Sequence, residues 1–344
     1  MPRIRRRNGR QNGHQTPLPQ ENKPYRDLSH YYRDIFGCKC HKLCVDGGFT
    51  CPNRDGKCGR GGCIFCGPRG AGDFISASGI RNQIDDAMKK AVRKHKAEKF
   101  VVYFQNYTNT YAPVEELEQK YDSALIYDSI VGLAIGTRPD CIDEEVAKLL
   151  SKYRKNYRVW VELGLQTSDD KTAQRINRGY PSVVFSRAVE VLRRHDIDVV
   201  THLLFGLPGE TRAHMEKTVE FVTRHDIQGV KIHSLYIQRD APLEKMYERG
   251  EFEPISLSEF VDWAIYALTH FPPHWVIHRL TGECARESLI APEWVLQKAA
   301  ILLEIQRVME ERNLRQGSEF HTHTDEYLPG ACASMRRVDY NTSR

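Results

Sequence analysis

Apolar residues along this chain repeat with two alternating periods. KFVVYFQ (99–105), IVGLAIGT (130–137), RVWVELGLQ (158–166), DVVTHLLFGLP (198–208) and GVKIHSLYI (229–237) are short apolar runs. Their β-branched and aromatic content is that of buried strands. KLCVD (42–46) reads as a first strand. Between the runs the period lengthens. In GIRNQIDDAMKKAVRKHKAEK (79–99), Ile80, Ile84, Met88 and Ala91 share one helical face. DEEVAKLLSKY (143–153) sets acids in its first turn and a lysine in its last, as the helix dipole favours. SVVFSRAVEVLRRH (182–195) and ETRAHMEKTVEFVTRH (210–225) are amphipathic as well.

Strands separated by helices, at roughly 30–40 residues each, predict βαβ units and a parallel sheet. Polar residues close many of the strands: Gln105-Asn106, Thr137-Arg138, Gln166-Thr167 and the stretch from His202. Barrel enzymes build their sites on that rim, so an α/β barrel is favoured over an open sheet. Beyond residue 240 the segments PLEKMYERG, SLSEFVDWAIYALTHF and PEWVLQKAAILLEIQRVMEERN are helical, and HWVIHRLTG (274–282) reads as one more strand and turn. The expected organisation is a basic arm (1–22), a barrel (23–240), a C-terminal strand and helices packed on it (241–320), and a tail (321–344).

Charge changes the picture only locally. The chain carries +5, and its first ten residues hold five arginines and no acid. The rest is balanced, 45 basic against 45 acidic residues, so a nucleic-acid partner would need a local basic patch. No apolar run is long enough to span a membrane. No apolar stretch follows the arginines, which argues against a secretory signal. The expectation is a cytosolic chain, where clustered thiols are ligands or redox groups rather than disulfides.

Seven of the ten cysteines lie between Cys38 and Cys66. Cys63 and Cys66 form a C-x2-C pair, and Cys51 stands twelve residues before Cys63 across a glycine-rich loop. Three thiolates from one loop suit a soft metal or an iron–sulfur cluster. With Cys58 or Cys44 as fourth ligand, zinc is equally open on spacing alone. Cys44 falls in the predicted first strand and reads as a buried thiol. Cys38, Cys40 and Cys58 have no assigned role.

The loop VDGGFTCPNRDGKCGRGGCIFC resembles the cluster loop of radical SAM proteins of the YhcC/YtqA type, relatives of the radical SAM part of the Elongator catalytic subunit. The spacing C-x11-C-x2-C at Cys51, Cys63 and Cys66 is that of the subgroup, not the commoner C-x3-C-x2-C. YFQNYTNTYAP, IGTRPDC, WVELGLQTSDDKTAQRINRG, GLPGET, KIHSLY and IHRLTG agree in order and spacing, so the resemblance covers roughly residues 25–315.

The resemblance implies a partial (β/α)6 TIM-like barrel with a helical C-terminal extension. It implies a 4Fe-4S cluster on Cys51, Cys63 and Cys66, with one iron open to S-adenosylmethionine. Phe65 is expected near the adenine. Gln105 and Asn106 are expected near the methionine amino group. Glu162 and Gln166, on one face of a strand, would meet ribose hydroxyls and the sulfonium, or else a structural ion pair. Arg178 is expected to reach the methionine carboxylate. His202 stands where porphyrin-forming relatives carry aspartate, which agrees with the Elongator-like branch. His233 and His278 end predicted strands and face either substrate or core. The implied reaction is reductive cleavage of S-adenosylmethionine, fed by a donor such as flavodoxin or ferredoxin. The expected substrate is the wobble uridine of tRNA, with Tyr103, Tyr107 and Tyr111 available for stacking. A small molecule or peptide is the alternative.

Overall fold

A computed structural model describes residues 23–68, 70 and 78–321. The expected basic arm and nearly all of the expected tail lie outside the described residues.

Six strands follow the apolar runs: β1 (Cys40–Val45), β2 (Lys99–Phe104), β3 (Ile130–Thr137), β4 (Arg158–Gln166), β5 (Asp198–Phe205) and β6 (Gly229–Ser234). The short β7 (Ile237–Gln238), then β8 (Val276–Arg279) and β9 (Leu289–Ala291), come later. Seven strands form one sheet in the order β1-β2-β3-β4-β5-β6-β8, every neighbouring pair parallel. The sheet curls into a half-barrel whose edge strands, β1 and β8, do not pair. β8 is the further strand anticipated at 274–282.

The helices are α1 (Leu28–Phe36), α2 (Ile80–His95), α3 (Val114–Asp122), α4 (Glu144–Tyr153), α5 (Asp170–Arg175), α6 (Ser182–Arg194), α7 (Arg212–Thr223), α8 (Pro242–Glu248), α9 (Leu257–His270) and α10 (Lys298–Glu311). The apolar patterning anticipates most of them but not α1 or α3. Among the described residues no helix is long and apolar enough to cross a membrane.

Strand alternation sorts the side chains into two layers. In β2, Val102 and Phe104 enter the main core with Leu133, Val161, Ile84 and Phe185. Val101 and Tyr103 turn to the concave face, with Trp160, Val200 and Tyr32. α1 touches both edge strands. The chain enters it after the Ile277 N–H donates to Arg26 O (2.8 Å). Tyr31 then accepts from Arg158 Nε (2.9 Å), and the Tyr32 ring packs 6.3 Å from that of Trp160. This helix plugs the concave face at the N-terminal end of the strands. The other end, the rim, carries the loops.

Candidate functional site

β1 ends at Val45, and the loop that follows brings the thiols to the rim. Short turns shape it. The N–H of Arg54 donates to Cys51 O (2.8 Å), that of Gly62 to Asn53 O (2.8 Å), and that of Cys66 to Cys63 O (3.0 Å). The loop is fastened to the segment after α5. Asn53 Nδ2 donates to Asn177 O (2.6 Å), Asn177 Nδ2 to Gly62 O (2.7 Å), and the Ile64 N–H to Ile176 O (3.0 Å). Arg54 Nη2 donates to Gly67 O (2.6 Å). A Cβ on Gly59 would lie 2.0 Å from Asn53 Oδ1, and one on Gly67 2.5 Å from Gln238 Nε2, so either substitution would displace a side chain of the site.

Cys66 differs from the cysteines whose thiols burial pushes up. A hydrogen bond from Cys63 lowers the Cys66 thiol to about 7, against burial and with help from Arg54 and Arg138. Cys63, the partner in that bond and itself buried, is pushed well up. Of the pair, Cys66 is thus the thiol that more readily forms the thiolate, the form that binds metal. Burial pushes Cys40 up to about 12 and raises Cys44, and both pack against the concave cluster. Cys58 is exposed, 3.6 Å from Arg138 Nη2. Among the described residues no three of His, Cys, Asp and Glu come close enough to share one metal ion.

Two buried acceptors at the rim are open. Asn106 is 1% exposed; its Nδ2 donates to Asp46 Oδ2 (2.6 Å), while its Oδ1 has no partner among the described residues. Gln166 ends β4 at a bulge and holds a left-handed backbone (φ 62°), a conformation costly for a non-glycine residue. Its amide folds back over Gly164, where a Cβ would come within 2.7 Å of Nε2, and its buried Oε1 is unpartnered. The Gln166 amide, folded over Gly164, lies on the same face of β4 as Glu162, although a bulge interrupts the alternation between them. Gln105 lies beside them, its N–H donating to Val45 O (3.2 Å). Phe65 is half-buried against an apolar cluster that includes Ile176, Leu207 and Leu243.

Two expected ligand contacts meet side chains that are already spent. Arg178 is fully buried. Its Nε donates to Tyr180 O (2.9 Å) and its Nη1 to Leu165 O (2.5 Å) and Thr167 O (2.6 Å). It braces the end of β4 rather than presenting a fork to a carboxylate. Glu162 has four acceptor sites, and four donors fill them: Lys42 (2.5 Å) and Trp160 (3.2 Å) at Oε1, His202 (2.7 Å) and Lys231 (3.0 Å) at Oε2. Of the two readings of Glu162, the structural ion pair is the one the geometry has. His202 donates Nε2–H to this carboxylate, and burial lowers it to about 4, so it is neutral at pH 7 with Nδ1 as an acceptor. His233 and His278 line the same interior, burial holding both well below the usual imidazole range. Tyr103 is also inside and 2% exposed, so it offers no ring for stacking outside the barrel.

Residue patterns missed Asn53, Arg54 and Asn177, and marked Arg138 only as a polar residue closing a strand. Arg138 pairs with Asp140 (2.7 Å) and donates to Arg178 O (2.9 Å), joining the ends of β3 and β4 beneath the thiol loop. Asn177 stood one residue from Arg178 in the INRG stretch, which was its only signal.

The chain is similar to known proteins in sequence and in fold. Residues 55–222 match the radical SAM superfamily model, and residues 227–311 match the radical SAM C-terminal domain. The chain is 39% identical to YtqA of Bacillus subtilis over 315 residues, 90% of this chain and 98% of that protein. It is 38% identical to YhcC of Escherichia coli over 82% of this chain and 91% of that protein. The tRNA uridine(34) acetyltransferase of Methanocaldococcus infernus is 31% identical over 42% of this chain, but that match spans only 27% of the acetyltransferase. Among solved structures, the archaeal Elp3 of Methanocaldococcus infernus superposes with a TM-score of 0.59 at 20% identity, over 80% of this chain and 64% of that one.

Proposed function

The chain belongs to the radical SAM superfamily, and on that footing we propose that it cleaves S-adenosylmethionine reductively at the half-barrel rim and abstracts hydrogen from a substrate in the concave face below. A 4Fe-4S cluster held by three thiolates supplies this chemistry, an electron for the sulfonium and a hydrogen-abstracting adenosyl radical, which the protein positions and shields. Cys51, Cys63 and Cys66 would hold it. Cys66, the more readily ionised of the C-x2-C pair, would lose its proton more easily to ligate. Asn106 Oδ1 and Gln166 Oε1 would accept from amino and hydroxyl groups of S-adenosylmethionine, with Gln105 beside them and His202 Nδ1 below. Phe65 would lie at the apolar side of the same rim. A small electron carrier such as flavodoxin or ferredoxin would deliver the electron.

The observation that carries this reading is the pairing of a fastened three-thiol loop with two buried, unpartnered acceptors on one rim. After anaerobic reconstitution the protein should show iron–sulfur absorbance and form 5′-deoxyadenosine. Cys63→Ala should lose both, and Cys58→Ala should keep both. Deoxyadenosine from the Cys63 variant would refute the assignment.

A uridine side chain of tRNA is the substrate that the acetyltransferase relatives favour. Because the match covers so little of them, acetyl transfer is not carried over. The rim supports an RNA partner through Tyr107 and Tyr111, whose rings lie 5.4 Å from the Arg54 guanidinium and 5.0 Å from Lys57 Nζ. Comparing modified nucleosides of total tRNA between a deletion strain and its parent tests it; identical profiles would reject it. A small-molecule substrate is the second reading. It is favoured by the balanced charge of the body and by the ionisable groups gathered on the concave face.

A further inference from the structure

Inside the curl, strands from both sides of the half-barrel send ionisable groups to one place. Lys42 of β1 and Lys231 of β6 approach opposite oxygens of Glu162, at 2.5 and 3.0 Å. His202 of β5 and His278 of β8 stand 2.7 and 3.8 Å from the same carboxylate, and the His233 ring lies 5.7 Å from that of His202. The Tyr103 ring sits near both ammonium groups, 4.5 Å from Lys42 and 4.9 Å from Lys231. Arg279 pairs with Glu283 at 2.7 Å.

The charges in this space do not balance. Burial keeps all three imidazoles neutral at pH 7. Burial lowers Lys231 only to about 8, so it remains mostly charged. Arg279 is paired with Glu283, and Lys298, 3.6 Å from the same carboxylate, is half exposed and is not counted among the buried charges. Two ammonium groups then face one carboxylate, leaving one positive charge without a counter-ion. Aromatic faces offset only part of the cost of a desolvated ammonium. Part of this cluster meets solvent. Lys42 and His202 keep 16% and 21% of their side-chain exposure although both lie on the concave face. The buried His278 Nδ1 has no hydrogen-bond partner among the described residues.

We propose that the concave face binds the carboxylate of an organic-acid substrate against Lys42 and Lys231, beside the Glu162 carboxylate that bridges them. The count of charges selects the anion. One unpaired positive charge is matched by a carboxylate, whereas a phosphate monoester brings about −1.5 to −2 at neutral pH and would leave an excess. The inference rests on the radical SAM reading only in placing substrate beneath the rim.

Binding to the full-length chain, reconstituted with its cluster, tests the pocket. Propionate is followed by saturation-transfer NMR and inorganic phosphate by phosphorus NMR, at constant ionic strength. The native chain should bind propionate in preference to phosphate. Lys231→Gln, and Lys42→Gln if the first does not fold, should weaken propionate roughly tenfold or more, the worth of one charge-assisted hydrogen bond. Glu162→Gln raises the excess from one charge to two and should shift the preference toward phosphate. Propionate binding that ignores the lysine variants, a native chain that binds no propionate, or an unmoved preference in Glu162→Gln overturns the proposal. A chain that selects propionate but never yields deoxyadenosine refutes the radical reading and leaves the pocket standing. Deoxyadenosine without anion selection does the reverse.

Discussion

The side-chain amide of Asn177 donates to Gly62 O and Arg60 O, and its main-chain carbonyl accepts from Asn53 Nδ2, so one residue ties the thiol loop to the barrel. It does so in a left-handed backbone (φ 52°), which asparagine tolerates better than most residues. Asn177→Ala should lose two hydrogen bonds of about 1 kcal/mol each and add about 1 kcal/mol of backbone strain. The barrel should still fold, with less iron per chain after anaerobic reconstitution and faster cluster loss. Asn177→Gly relieves the strain but not the lost amide, so its iron should fall as far with a smaller drop in melting temperature. A glycine variant that holds iron like the native chain would show that the amide does not matter. Little of this was visible in the sequence. Cysteine spacing exposes the thiol trio, because those residues act by their own chemistry. Asn53 and Asn177 act through backbone carbonyls, on partners more than a hundred residues away, and no local pattern encodes that. The same distance hid the state of Glu162 and Arg178. Residue type marked both as important, but whether their hydrogen bonds were free depended on β1, β5 and β6 for one and on carbonyls at the end of β4 for the other.

Elements were legible in proportion to the width of their apolar face. β3 and β4 match their predicted runs residue for residue. α3 buries only Leu117 and Tyr121, too narrow a stripe to stand out. α1 declares itself mainly at its ends, where Asp27 accepts from the His30 N–H and Gly37 takes a left-handed turn (φ 68°). Its importance comes from packing, since Tyr32 fills the concave face between the Trp160 and Phe36 rings. Tyr32→Ala should cost about 3–5 kcal/mol, as large aromatic truncations in a core do. The Tyr32 hydroxyl, however, is buried with no partner among the described residues. Tyr32→Phe should therefore be neutral or stabilising by about 1 kcal/mol, because it removes an unsatisfied polar group. Denaturant unfolding of the two variants checks the contrast. A Phe variant as weak as the Ala variant would mean that the hydroxyl is satisfied after all.

At the scale of the whole molecule, the Glu162 network cross-links a half-barrel whose edges never meet, reaching β1, β4, β5, β6 and β8. That makes global stability acid-sensitive, and the sign follows from the directions of the shifts. Burial lowers His202 from its ordinary 6.5 to about 4. As pH falls through 6.5 the unfolded chain takes up this proton and the folded chain does not. Stability rises with pH wherever the unfolded state binds more protons. The contribution is therefore complete above about pH 6.5 and is lost between there and about pH 4. His233 and His278 add in the same direction. Burial would raise Glu162, but Lys231 and Lys42 hold it well below its ordinary value, so its share is lost only in stronger acid. The melting temperature should fall steadily from pH 7 toward pH 5, and His202→Gln should flatten that fall by up to about 1.4 kcal/mol per pH unit, one proton's worth. An unchanged slope in the variant would mean that His202 is already protonated in the folded chain. The interior would then hold two unpaired positive charges rather than one, and the preference for a carboxylate over a phosphate would lose its basis.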